Sequence, residues 1–220
     1  MKNKLSFSVK RFALSLLFIV FTTISFGQLY FGGGINLIKG FTVKSPYLGL
    51  TLIGEKINDN QSIYANFNIT LNKKEQDVLA TDSNNNSVVI GDLTYRYNTL
   101  ELGRRNYFTD DIEYGLGFYL AEHVTISYNT VEIQLDKGID QSSISNNSNL
   151  RGNVLSLAIG GNAGAQYAFV RGVLFGDIGF NYTLIGLPSN VLAQNYMQSY
   201  FSQLNFTVTL GFKKALNLQY

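Results

Sequence analysis

Apolar and polar residues alternate along most of this chain with a period of two, the spacing of a β-strand with two different faces. The stretch 63–72 shows it most cleanly. Ile63, Ala65, Phe67, Ile69 and Leu71 share one face, and Tyr64, Asn66, Asn68, Thr70 and Asn72 share the other. The stretch 153–186 holds two more such strands with a very short turn near 170–172. In the first, Leu155, Leu157, Ile159, Gly161, Ala163, Ala165, Tyr167 and Phe169 oppose Ser156, Ala158, Gly160, Asn162, Gly164, Gln166 and Ala168. In the second, Leu174, Ile178, Phe180, Tyr182 and Leu184 oppose Asp177, Gly179, Asn181 and Thr183.

The same period predicts strands at about 29–37, 47–55, 95–108, 112–121 and 204–212. Phe31, Ile35 and Leu37 lie opposite Tyr30, Gly32, Gly34 and Asn36 in the first of these, and Leu48, Leu50 and Leu52 form one face of the second. Leu100 and Leu102 oppose Glu101 and Arg105 in the third, and Tyr114, Leu116, Phe118 and Leu120 form one face of the fourth. Leu204, Phe206, Val208, Leu210 and Phe212 oppose Asn205, Thr207 and Thr209 in the last. That makes eight strands, most of them near the ~9–11 residues that a tilted strand needs to cross a bilayer.

An apolar face on every strand, backed by a small or polar one, suits an antiparallel sheet closed on itself in lipid. The apolar side faces the acyl chains, the polar side fills a narrow interior, and closure pairs every backbone group. The predicted fold is therefore all-β, an eight-stranded antiparallel up-and-down transmembrane β-barrel. A secreted soluble barrel with an apolar interior is the competing arrangement, and it would reverse the faces. The connections favour the membrane: those after the second, fourth and sixth strands are short, while those after the third, fifth and seventh are long. Short periplasmic turns and long outer loops are the usual asymmetry of such barrels, which places both termini in the periplasm. Asn84–Asn86 and "SSISNNSN" read as polar loop tips, and 125–135 as an extension of the fifth strand or a small hairpin above the membrane.

The N-terminus adds a destination. Lys2, Lys4, Lys10 and Arg11 precede an apolar run over 12–26, and Ser25 and Gly27 are small residues before Gln28. This is the pattern of a cleaved secretory signal, dividing the chain into 1–27 and a barrel domain over 28–220. Cleavage removes four basic residues from a chain with 17 Lys and Arg against 15 Asp and Glu, so the mature protein is slightly acidic. No basic face remains for nucleic acid. With no cysteine, disulfides and thiolate metal sites are excluded. The mean hydropathy of +0.04 looks soluble only because alternation cancels in an average.

Several segments together resemble the PorT-like family of outer-membrane β-barrel proteins of the Bacteroidetes: "YFGGGINLI", "YRYNTLELGRRNYF", "YGLGFYL" and the terminal "LNFTVTLGFKKAL". The central strand departs from the family pattern, with two arginines in "LGRRNYF". The resemblance implies an eight-stranded barrel in the cell outer membrane. It implies no single activity.

Candidate chemistry is sparse. Glu101, Arg105, Glu113, Asp177, Asn181, Asn162 and Gln166 are the predicted polar network of the lumen, because buried charges need partners. Such a plug holds a narrow barrel shut, and eight strands leave room for little beyond their own side chains or one small ligand. His123 either shares that interior or is a rim histidine at the start of an outer loop. A sharper reading pairs it with Thr125 and Ser127 on its strand face as a lipid-modifying hydrolase, but the spacing fits that chemistry poorly. "FGGGI" lacks the Lys-Ser/Thr of a phosphate loop. No catalytic, cofactor or metal residues are assigned. Arg104, Lys213 and Lys214, with Tyr107 and Phe108, are expected at the membrane interface. The expected role is non-enzymatic, structural or as a docking subunit of an envelope complex, with outer-membrane lipid and an envelope protein as partners. The alternative is a binding or transport module for a small or lipid-like ligand.

Overall fold

The computed structural model describes residues 28–42, 46–81, 87–109, 112, 114–139 and 150–216. The expected signal segment 1–27, the expected loop tips within 82–86 and 140–149, and Glu113 lie outside the described residues. The elements in chain order are β1 (Gln28–Gly40), β2 (Tyr47–Asn58), β3 (Gln61–Thr70), β4 (Lys73–Thr81), β5 (Ser87–Tyr107), β6 (Gly115–Leu135), β7 (Arg151–Phe169), β8 (Gly172–Pro188), α1 (Val191–Tyr200) and β9 (Leu204–Ala215).

Each strand pairs antiparallel with its neighbours, and β1 pairs with both β2 and β9. Pairing of β3 with β5 closes a ring of eight: β1, β2, β3, β5, β6, β7, β8 and β9. The ninth strand is not a stave. One half of β5 (98–106) pairs with β3, and its other half (87–95) pairs with β4 along the same edge. β4 therefore prolongs the line of β3 past Leu71 and Asn72, beyond the ring proper. The fold is an eight-stranded antiparallel up-and-down barrel of the transmembrane type, as the alternation predicts.

The two ends differ as expected. At one end the turns are tight: Asp59 and Asn60 join β2 to β3, and Val170 and Arg171 join β7 to β8. Asp59 takes the left-handed conformation (φ 51°), which a short polar side chain tolerates. Gly172 (φ 154°) closes the other turn, where a β-carbon would also run into the Phe212 ring. At the far end two expected loops carry regular structure. The connection after β3 contains β4 and the first half of β5. The connection after β8 contains α1, capped by Asn190, whose side chain accepts from the Ala193 amide at 2.9 Å. β6 runs on to Leu135, so the segment 125–135 is an uninterrupted strand extension.

The strands are tilted, and the register records it. The line of direct partners Tyr64, Gly103, His123, Gly160, Asn181, Asn205 and Gly40 starts near the turn end of β3 and finishes at the far end of β1. Such stagger is what closing a barrel requires. One bulge, at Leu157 and Ala158 opposite β8, leaves Leu184 and Ile185 both facing outward.

Side-chain burial separates the faces cleanly. The expected outward residues are exposed, among them Leu50 (61 %), Leu116 (58 %), Ile178 (64 %) and Leu210 (57 %). Asn, Thr, Ser and charged side chains occupy the interior. The inverted, soluble arrangement is thereby excluded for this sheet. Apolar clusters close both ends of the lumen. At the turn end Tyr30, Ile57, Tyr107, Ile112, Tyr119, Ala168 and Val173 pack together. At the far end Ile38, Tyr47, Leu93, Tyr95, Tyr97, Val131, Ile133 and Val154 meet Leu192, Ala193 and Phe201 from the α1 segment.

Candidate functional site

Between the two apolar ends the lumen holds a polar column in three layers. The layer nearest the turns carries the charges. Glu55 of β2, fully buried, accepts from Arg105 Nη1 at 2.8 Å, from Lys213 Nζ at 2.5 Å and from the Tyr107 hydroxyl at 2.6 Å. Ser62 donates to the same carboxylate at 2.5 Å. Arg105 reaches a second acid, Asp177 Oδ2, at 3.4 Å, and Tyr119 donates to that oxygen at 2.9 Å. The guanidinium lies between the rings of Tyr64 and Tyr119, 4.4 and 4.6 Å from their centres. Two cations, two carboxylates and the faces of aromatic rings thus share a compartment closed to water. A buried charge needs this many partners to survive its desolvation.

The middle layer centres on Glu101 and His123. Tyr64 donates to Glu101 Oε1 at 2.7 Å, and Asn162 Nδ2 donates to it at 3.2 Å. His123 Nδ1 lies 3.4 Å from the same oxygen and 3.1 Å from the Tyr64 hydroxyl. Its Nε2 meets Asn181 Oδ1 at 2.8 Å, which also accepts from Thr125 at 2.8 Å. The space for this layer comes from glycine. A β-carbon on Gly160 would stand 2.4 Å from His123 Nε2, and one on Gly103 would stand 2.8 Å from the Tyr64 ring. Large polar side chains on β3, β6 and β8 therefore alternate around the ring with glycines on β5 and β7.

The third layer, toward the loops, is neutral. Asn68 Nδ2 donates to Thr99 at 2.9 Å, Ser127 and Ser156 share a short hydrogen bond, and Asn129 donates to Ser127 at 3.2 Å.

Six of the seven expected lumen residues lie in this column, and the seventh, Glu113, is outside the described residues. Arg105 and Asp177 occupy the charged layer beside Gln166, whose Oε1 accepts from Tyr107 at 3.3 Å. Glu101, Asn162 and Asn181 occupy the middle layer. Glu101 and Arg105, four apart on one strand, do not pair with each other; each binds groups from other strands. Two placements correct the sequence reading. Lys213 and Tyr107 do not anchor the barrel at the interface. Both point inward onto Glu55, while Arg104, Phe108 and Lys214 are exposed. Of the two places expected for His123, the structure shows the interior: it sits in the middle of the plug. Glu55, the hub of the charged layer, escapes the sequence reading although it lies on the opposite parity to Leu48, Leu50 and Leu52.

The geometry offers His123 no serine or threonine nucleophile. Thr125 and Ser127 share its face, yet their hydroxyls bond to Asn181 and to Ser156, and neither reaches the imidazole. Among the described residues no three His, Cys, Asp or Glu side chains converge as metal ligands. The column reads as a plug that locks the barrel wall.

No protein-family model and no curated protein matches the sequence. Solved structures do match in shape. A major outer membrane protein from Thermus thermophilus superposes with a TM-score of 0.54 at 9 % identity, over 86 % of this chain and 99 % of that one. Neisserial surface protein A superposes with a TM-score of 0.51 at 10 % identity, over 86 % of this chain and 97 % of that one. The fold is the small barrel of outer-membrane proteins. At such low identity the likeness concerns the backbone path alone.

Proposed function

We propose that this chain is a small integral barrel of the outer membrane with no catalytic role, acting as a structural or docking component of an envelope assembly. The observation that carries the reading is the sealed lumen. Glu55, Arg105, Lys213 and Asp177 fill the cross-section at one level, and apolar clusters close both ends. A solute path would need that layer vacant. The features left for function are the lipid-facing wall and the far-end platform of β4, the extensions of β5 and β6, and α1. In this reading the tight turns and both termini lie in the periplasm and the platform faces outward, in keeping with the loop asymmetry of such barrels. Membership of the PorT-like family is part of the same proposal and rests on the sequence segments quoted above.

The test is made on native envelopes. The outer-membrane fraction is extracted in mild detergent and run on gels with and without boiling, after cross-linking intact cells with a reagent confined to the surface. The expected result is a faster unboiled band in that fraction, with cross-links to another envelope protein. Recovery in the soluble fraction without a heat shift would overturn the membrane reading. A heat-shifted band that never cross-links would overturn the docking role.

A further inference from the structure

The outer wall carries charge where a lipid-facing barrel should have none. Outward residues of β6 run Leu116, Phe118, Leu120, Glu122, Val124, Ile126 and Tyr128, so Glu122 has three apolar neighbours on either side along its strand. At ~3.3 Å per residue and a tilt of about 40°, six residues climb roughly 15 Å, which places Glu122 far from both edges of an apolar band of about 25 Å. Its side chain is exposed, and among the described residues no hydrogen bond or ion pair reaches its carboxylate. Its direct partner on β5 is Arg104, also outward and exposed, whose guanidinium donates to Asn106 Oδ1 at 3.0 Å. On its other side, β7 presents Gly161 opposite Glu122, Ala163 opposite Leu120 and Ala165 opposite Phe118. A cation, an anion and a flat strip of small residues thus lie together on one side of the barrel.

We infer that this wall, formed by β5, β6 and β7, is the interface of a homodimer. The occupant follows from charge and symmetry. Arg104 and Glu122 stand side by side, about 4.8 Å apart across the strands. A two-fold axis along the membrane normal, passing between them, exchanges left and right while preserving height. Each Arg104 then faces the Glu122 of a second copy, and both ion pairs form away from lipid. Two copies inserted in the same direction satisfy this, as a membrane requires, and the patch is its own complement. Gly161, Ala163 and Ala165 let the two walls approach closely, as small residues do between membrane segments. A partner carrying only one sign of charge would leave one of the two residues in lipid.

The chain has no cysteine, so single-cysteine variants report proximity directly. The full chain, expressed in its native envelope, carries Val124→Cys on β6, outward-facing and beside the inferred axis, or Ile35→Cys on β1, four staves from β6 on the opposite wall. Copper-phenanthroline oxidation should link the Val124→Cys variant to itself as a disulfide and leave the Ile35→Cys variant monomeric. Arg104→Glu or Glu122→Arg, placed in the Val124→Cys background, should cut the linked fraction about ten-fold. The double reversal Arg104→Glu with Glu122→Arg should restore it, because the pairs re-form with exchanged signs. The heat shift of each variant confirms that it folds. No linkage through residue 124, equal linkage through residue 35, linkage to a different protein, or failure of the folded double reversal to restore the dimer would each overturn the inference.

Discussion

Arg105 and Glu55 meet across the lumen from strands that do not pair: Arg105 Nη1 of β5 donates to Glu55 Oε2 of β2 at 2.8 Å, with β3 standing between their strands. The contact is a strut. The sheet's hydrogen bonds hold neighbouring staves together, while this pair ties together staves two apart and sets the cross-section. Lys213 of β9 reaches the same carboxylate, and Asp177 of β8 reaches the same guanidinium. One layer therefore links β2, β5, β8 and β9.

Removing the hub should be costly. Glu55→Gln leaves Arg105 and Lys213 buried with Asp177 as the remaining acid of their layer. Breaking a buried pair from one side costs about 3–5 kcal/mol. Asp177→Asn should cost less, since its contact with Arg105 is longer, at 3.4 Å, and Tyr119 keeps an acceptor there. Urea unfolding in detergent, followed by loss of the heat-shifted band, gives both values. Equal stability of Glu55→Gln and the parent would show that the strut carries no load.

The parity rule makes much of this barrel legible. It separates lipid-facing Leu50 and Ile178 from lumen-facing Asn162 and Asn181 without any tertiary information. It reaches Glu55 and Lys213 too, because both lie on the polar parity of their strands. The place of Lys213 near the chain end instead suggests an interface anchor, and Glu55 is hidden behind a run of outward leucines. The pairing of lumen residues is a different matter. Glu101 prefers Tyr64 and Asn162 to Arg105 because the stagger of the strands brings those residues to its height, and stagger is a property of the closed ring. α1 leaves a faint signal, Asn190 before "VLAQ", in a segment too short for a helical period to stand out. β4 is invisible because the break at Leu71 and Asn72 ends the clean alternation of β3.

Reconstituted in a planar bilayer, the barrel should show no steady conductance. The prediction survives a strong perturbation. Tyr47→Ala with Tyr97→Ala removes much of the far-end seal, but the charged layer near the turns still spans the lumen. The double variant should therefore stay closed as well. Ohmic current through the parent protein would show that the plug moves aside, and a solute path would replace the scaffold reading.

Glycine positions in the wall should differ sharply by face. A β-carbon on Gly164, which points inward, would stand 2.4 Å from the Tyr119 ring and push it away from Asp177. The ring belongs to a packed cluster and has little freedom to yield. Gly164→Ala should lose about 1–3 kcal/mol by overpacking. Gly54 points outward, and a β-carbon there meets its nearest neighbour, the Phe31 ring, only at 4.0 Å. Gly54→Ala should be neutral or slightly stabilising, because alanine restricts the unfolded chain more than glycine does. Refolding titrations of the two variants side by side separate these outcomes, and an equal loss for both would refute the account of the lumen as tightly filled.

His123→Ala distinguishes plug from catalyst. Its imidazole meets Tyr64 at 3.1 Å and Asn181 at 2.8 Å, so its loss leaves Asn181 with Thr125 and deprives Glu101 of a close neighbour. A structural histidine predicts a loss of stability of about 1–3 kcal/mol, the cost of a buried polar group stripped of its partner, seen as a lower unfolding midpoint. The same role predicts lipid A species that are unchanged by mass spectrometry in cells carrying the variant. Thr125→Val should behave alike in both respects, with a smaller loss of stability because it removes one hydroxyl donor. A change in lipid A acylation in either variant, with the heat-shifted band intact, would mean that the middle layer opens to substrate and that the barrel is an enzyme after all.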